Sequence, residues 1–390
     1  MKFAKRVLAI QPSATLAAAQ KKRDLEQTGV KVLDFTVGEP DFPTPTVIKE
    51  AAKKALDAND TYYQPVPGTP ALRKAICEKL KKENGLEYTP EEILVSCGAK
   101  NVILQAILAL VEEGDEVLIP SPYWVSFPEQ VTLAGGKPVF IETDDLSNFK
   151  ITAEALKKPI SKKTRLLILN TPSNPTGMAY TRKEQEALGK ICEGHDFLIL
   201  SDEMYEKLVF DSFQHVSFAA ACPQLKSRTI TVNGASKAYA MTGWRMGYGA
   251  APKELIEKMK TLQSQGITCI PGFIQQACIT ALKETEGDIQ KMVKAFHERR
   301  NVLVRGLNEI AGVRCLQPNG TFFCFPNMKE AMKKKGIKTT LELSEHFLEK
   351  LHIATVAGEG FGAPGYLRFS YATNLESIKE GLKRLKGFFG

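Results

Sequence analysis

Between residues 93 and 250 the chain alternates short apolar stretches with stretches of helical period, and this rhythm narrows the possible folds more than any other feature. Apolar runs stand at 93–96, 116–119, 137–142, 165–169, 197–200 and 229–232, with a further strand expected over 243–250. Apolar residues at helical spacing fill intervals such as 102–111 and 182–194. Strands this apolar need cover on both faces, and a repeated strand–helix–strand order makes such a sheet largely parallel. The expected class is α/β. In these sheets ligands collect beyond the carboxyl ends of the strands. The chemically unusual residues stand at those ends: Gly98, Trp124, Asn174, Asp202 and Lys237.

A chain of 390 residues exceeds what one core organises, so two domains are expected. We place the large one at 46–285. The smaller α+β domain takes 286–390 together with an N-terminal arm, 1–45. In the arm, Ser13 or Thr15 is a good cap for a following helix. A strand is expected over 32–37, ending in the irregular loop Gly38-Glu-Pro-Asp-Phe-Pro43. Helices are expected at 46–58 and 70–82. A long helical region after Pro252 should bend at 266–272.

Composition excludes several classes. No run of about 18 uncharged apolar residues exists, so no membrane span is expected. No apolar core follows the basic start, which argues for a cytoplasmic protein without a secretory leader. The net charge of +8 comes from scattered short runs such as 333–335, with no nucleic-acid-binding signature beside them. Eight cysteines form no CxxC and five histidines show no ligand spacing, so neither disulfides nor a metal are expected.

Lys237 is the centre of the chemical reading. Its neighbours are Ala235, Ser236, Ala238 and Ala240 rather than other charges. Poor solvation lowers the pKa of an amine and frees it as a nucleophile for carbonyl carbon. Arg245, eight residues on, offers a fork suited to phosphate. A phosphorylated aldehyde, pyridoxal 5'-phosphate (PLP), fits both. Asp202 ends an apolar strand, where a carboxylate suits a protonated ring nitrogen. Tyr205 and Asn174 suit the ring's phenolic oxygen, and Trp124 suits its face. The start of a helix at Ala99 and Lys100 suits the phosphate. Arg368 suits a substrate carboxylate. Plain alternatives stay open for each: a turn lysine, a helix cap at Asp202, packed aromatics, an Asx-turn, a salt bridge.

Four motifs, in this order and spacing, carry a resemblance over nearly the whole chain. They are Ser173-Asn-Pro-Thr-Gly177, Ser201-Asp-Glu-Met-Tyr205, Ser236-Lys237 with Thr242-Gly-Trp-Arg-Met-Gly247, and Leu367-Arg-Phe-Ser370. The chain resembles the class I PLP-dependent aminotransferases of fold type I. Pro12-Ser-Ala-Thr15, Gly38-Glu-Pro-Asp-Phe42 and Ser121-Pro-Tyr-Trp-Val125 bring it nearest the bacterial aspartate aminotransferase subgroup. The resemblance implies Lys237 as the Schiff-base lysine, Asp202 on the ring nitrogen, and Tyr205 and Asn174 on the phenolic oxygen. It implies Trp124 stacked on the ring, and Arg245, Ser236, Ala99 and Lys100 around the phosphate. Tyr63 matches a tyrosine that reaches the neighbouring subunit's phosphate, so a homodimer with shared sites is implied. Arg368 and the Gly38 backbone would take the α-carboxylate, and Lys100 with Thr15 a side-chain carboxylate. Amino acids and 2-oxo acids are the implied substrates, with aspartate and 2-oxoglutarate first and prephenate or aromatic partners as the alternative. The stretch Gly266-Ile-Thr-Cys-Ile-Pro271 departs from the subgroup, which is rich in serine and threonine there. A PLP lyase on the same fold, or a regulator with an added DNA-binding domain, are the competing readings.

Overall fold

A computed structural model describes all residues except Ser13 and the side chain of Ala14. The proposed cap at Ser13 lies outside the described residues. Thr15 falls inside the helix Ala14–Glu26 and does not cap it.

A seven-stranded sheet forms the centre. Its order is Ile93–Cys97, Met246–Ala250, Thr229–Gly234, Leu198–Asp202, Thr164–Asn170, Glu116–Ser121, Lys137–Glu142. Five neighbouring strands run parallel, as the sequence rhythm implies. Met246–Ala250 departs from this, pairing antiparallel with both of its neighbours. The expected strand at 243–250 is also too long. Thr242–Trp244 is a 3-10 turn, and Arg245 sits in the left-handed region at φ 57°, so the strand begins only at Met246.

Helices cover both faces. Ala99–Leu110 is apolar nearly all round and buries Val102, Ile103, Ala106 and Ile107 against one face. Arg182–Glu193 covers the other, starting at a capping box between Thr181 and Glu184. The segment at 70–82 is not one helix. Pro70–Lys79 passes into a π turn, Leu80–Asn84, closed by Gly85 in the left-handed conformation. After Pro252 three helices follow, Lys253–Gly266, Gly272–Glu284 and Glu286–Asn308, with the break where the glycines stand.

The expected strand at 32–37 contracts to Leu33–Asp34, which pairs with Ile353–Ala354 near the C-terminal end. A three-stranded antiparallel sheet, Val356–Ala357, Leu367–Ser370 and Phe323–Cys324, lies beside it. The final helix, Leu375–Phe389, packs on Glu286–Asn308, where the bare Gly306 admits Leu382. The eight cysteines are free and mostly buried. Among the described residues no helix is long and apolar enough to cross a membrane.

Candidate active site

The strand ends converge on a cavity of about 320 Å³. Every residue named above for cofactor or substrate lines it, except Tyr63. Tyr63 is 89% exposed and does not line this chain's own cavity.

Lys237 lies on the loop that leaves Thr229–Gly234. Two backbone bonds shape that loop: Ala235 N–H to the Met246 carbonyl at 3.1 Å, and Met241 N–H to the Ser236 carbonyl at 3.2 Å. Gly234 permits the approach, since a Cβ there would lie 2.8 Å from Gly247 Cα. The Lys237 Nζ donates to the Gly38 carbonyl at 2.5 Å and presents part of its surface to the cavity. Burial lowers its pKa to about 8, against the opposing charge of Glu39; Arg368 and Arg245 lower it further. A useful fraction of unprotonated amine therefore exists near neutral pH.

Asp202 is the last residue of its strand, and it is buried. Its Oδ1 accepts the Met204 N–H at 3.2 Å. Burial raises its pKa to about 7; the Met204 bond opposes that rise, and Glu203 adds to it. A carboxylate this poorly compensated favours a partner that brings a proton. Asn170 donates Nδ2–H to the Asp202 carbonyl at 3.1 Å and accepts the Asn174 N–H at 2.8 Å. Asn170 thus braces two site residues from the end of the neighbouring strand.

Arg368 enters on Leu367–Ser370 and is 2% exposed. It donates Nη1–H to Asn174 Oδ1 at 3.0 Å and Nη2–H to the Thr36 carbonyl at 2.8 Å. Among the described residues its Nε–H has no acceptor. The guanidinium lies 4.3 Å from the Phe323 ring centre. Tyr205 is buried against Phe322 and Phe323, and burial raises its phenol above the ordinary range.

An anion cradle closes the other end. Gly98 precedes Ala99–Leu110, whose first amides have no acceptor within the helix. Gly98 takes φ 76°, and a Cβ there would lie 2.5 Å from Arg245 Nη2. A Cβ on Gly247 would meet the Ala99 nitrogen at 2.2 Å. Both positions must stay bare for guanidinium and amides to converge. Lys100 Nζ stands 4.9 Å over the Trp124 ring, and burial with the Arg245 charge lowers its pKa.

The profile of the family described as "Aminotransferase class I and II" matches residues 30–385. The chain belongs to the class I and II aminotransferases. This aminotransferase is 45% identical over 388 residues to the aspartate aminotransferase of Geobacillus stearothermophilus, covering 100% of this chain and 99% of that one. It is 42% identical to the aspartate/prephenate aminotransferase of Nitrosomonas europaea, over 99% of each chain. Among solved structures it is similar to the Rhizobium meliloti aspartate aminotransferase, with TM-score 0.96, 40% identity, and 99% and 98% of the two chains covered. A second similar structure is the Thermus thermophilus aspartate aminotransferase with maleate, at TM-score 0.94 and 38% identity over 99% of each chain. The central sheet and helical layers of this aminotransferase are those of fold type I.

Sequence reading missed part of the wall. Leu16, Ile103, Val125, Asn170 and Met204 also line the cavity. Leu16 and Val125 adjoin named residues, and Ile103 lies one helical turn beyond Ala99, so i+4 spacing from the phosphate turn would have found it.

Proposed function

We propose that this aminotransferase uses PLP to move an amino group reversibly between L-aspartate and 2-oxoglutarate, giving oxaloacetate and L-glutamate. The observation that carries this reading is the meeting of Lys237, Asp202 and Arg368 in one cavity. The residues fit PLP on three counts. Asp202 is a buried carboxylate that accepts the Met204 N–H, suited to a ring nitrogen that carries a proton. Arg245 and the Ala99 and Lys100 amides converge where a Cβ would intrude, which suits a phosphate. Lys237 carries an amine of lowered pKa on the same cavity.

PLP, when bound, supplies an aldehyde to take up the amino group and a ring to accept the electron pair released at Cα. Lys237 would take the proton from Cα and deliver it to the cofactor carbon that came from the aldehyde, acting as general base and then acid. Asp202 holds the proton on the ring nitrogen. Tyr205 and Asn174 hold the phenolic oxygen, and Trp124 covers the ring. Arg245, Ser236 and the Ala99 and Lys100 backbone hold the phosphate, joined by Tyr63 from the second subunit of a homodimer. Arg368 and the Gly38 backbone orient the α-carboxylate. Lys100 and Thr15 take the side-chain carboxylate, which supports an acidic substrate. The domains are 46–285 and 1–45 with 286–390; the pairing of Leu33–Asp34 with Ile353–Ala354 supports joining the arm to the C-terminal part. The enzyme works in the cytoplasm on small molecules, without nucleic acid or membrane.

A second acceptor, prephenate, is favoured by the apolar wall of Leu16, Ile103 and Val125 beside Lys100. Both readings are tested by one panel of donors and acceptors: aspartate, glutamate and tyrosine against 2-oxoglutarate, oxaloacetate and prephenate. Turnover without any 2-oxo acid would point instead to a lyase.

A further inference from the structure

Behind Asp202, outside the cavity, lies a buried polar cluster with no part in the reaction described so far. Glu203, the next residue, is fully buried. Its Oε1 accepts the Ser201 hydroxyl at 2.8 Å and the Phe218 N–H at 3.1 Å. Its Oε2 accepts the Ser217 hydroxyl at 2.5 Å and faces His215 Nε2 at 3.1 Å. The cluster continues through Asn84, which donates Nδ2–H to Ser217 Oγ at 2.8 Å and to Glu206 Oε2 at 2.7 Å. Lys79, also buried, pairs with Glu206 and donates to Asn84 Oδ1 at 2.8 Å.

A buried carboxylate is costly, and packing alone is served better by an apolar side chain. Successive residues at a strand end face opposite sides, so Asp202 looks into the cavity and Glu203 away from it. We propose that Glu203 is a positioning residue for amino transfer: its carboxylate, held by four hydrogen-bond partners, strengthens the grip of Asp202 on a proton shared with the cofactor ring. The proposal rests on the PLP reading of the cavity.

The surrounding charges set the sign. Lys79 and Glu83 approach from Pro70–Lys79 and the π turn after it, Glu206 and His215 from the segment after the strand. Burial raises the proton affinity of the Tyr88 and Tyr248 phenols most, and Glu203 raises it further. Burial pushes His215 down, but Glu203 and Glu206 outweigh it and hold its proton affinity above the ordinary value. The side-chain ligand atoms of Glu203, Glu206 and His215 lie within 4.8 Å of one another, a spacing a metal ion would tolerate. Lys79 already supplies the cation there. Removing the Glu203 charge should weaken the proton near the ring, and removing the His215 charge should strengthen it.

The test is a pH titration of visible absorbance in the PLP-loaded enzyme, with PLP affinity by equilibrium dialysis and kinetics on aspartate. Glu203→Gln is expected to lower the titration midpoint by about one pH unit and kcat by about tenfold, with KM changed less than about twofold. His215→Asn is expected to move the midpoint up. A folded Glu203→Gln protein with the wild-type midpoint overturns the proposal, as do two shifts of the same sign. Should Glu203→Gln fail to fold, Glu203→Asp and His215→Asn decide. A midpoint kept in the first and raised in the second supports the proposal, and any other pair overturns it. Wild-type protein that gains no visible absorbance with PLP fails the cofactor reading itself, a result recognisable before any variant is made.

Discussion

Arg368 donates Nη1–H to Asn174 Oδ1 at 3.0 Å while its Nε–H has no acceptor among the described residues. The strand Leu367–Ser370 thereby touches the loop after Thr164–Asn170, and the buried guanidinium with this unpaired donor belongs to a residue that lines the cavity. Burial lowers its pKa to about 10, so it remains charged at neutral pH. A buried cation with a spare donor suits a bidentate carboxylate. Arg368→Lys keeps the charge and loses the fork. It should lower kcat/KM for every amino acid substrate by roughly 100-fold, as steady-state kinetics on aspartate and on alanine will report. A loss confined to aspartate would move the α-carboxylate elsewhere.

Lys100 should act on one class of substrate only. Its ammonium rests over Trp124 and is partly desolvated. A charge-assisted bond to a side-chain carboxylate is worth about 1.5–3 kcal/mol. Lys100→Ala should therefore cut kcat/KM for aspartate by roughly 10- to 100-fold and leave that for tyrosine nearly unchanged. Equal losses for both amino acids would show that Lys100 serves the phosphate end alone.

The sheet was legible in the sequence because its strands are apolar and spaced by helical patterns. Lys137–Glu142 was found to the residue, and others to within one or two at each end. Met246–Ala250 escaped as an antiparallel strand because a short apolar run says nothing of direction. The reach of the strand expected at 243–250 failed for a local reason: Arg245 takes a left-handed backbone that pattern does not reveal. Leu33–Asp34 needs a partner 320 residues away, and no local signal marks such a pair. Of the site, chemically distinctive residues such as Lys237 and Arg368 were legible. The aliphatic wall was not, since Leu16, Ile103 and Val125 read like any core residue. The cluster at Glu203 was invisible because it is built from three separate stretches of chain, 79–84, 201–206 and 215–218.

Gly98 should tolerate no side chain. It takes φ 76°, and a Cβ would lie 2.5 Å from Arg245 Nη2. Strain of this kind costs on the order of 1–3 kcal/mol, and the displaced guanidinium loses its place in the cradle. Gly98→Ala should weaken PLP binding by at least tenfold in equilibrium dialysis, with little loss of helical circular dichroism. Unchanged PLP affinity would remove Gly98 and Arg245 from the phosphate site.

Asp202 should make the cofactor-free protein less stable as pH rises. Its folded pKa is raised to about 7 from 3.8, chiefly by burial. Between those two values the native state holds more protons than the unfolded state, so unfolding free energy falls with increasing pH. The cost is absent near pH 4, grows through pH 5 and 6, and is complete above about 7. Asp202→Asn removes the titrating charge at nearly the same volume. In cofactor-free protein it should be more stable than wild type at pH 8, by on the order of 2–4 kcal/mol, with the gain fading towards pH 4. Lys237, lowered to about 8, adds a slope of opposite sign around and above that pH in both proteins alike, so the change in the gap between them from pH 4 to 8 isolates Asp202. With PLP bound the order should reverse, because only the wild-type carboxylate meets a protonated ring nitrogen. Thermal unfolding of both proteins across this window, with and without PLP, measures it. A gap that stays constant with pH would mean that Asp202 is ionised and satisfied without any partner, and the cavity would then have no anchor for the ring.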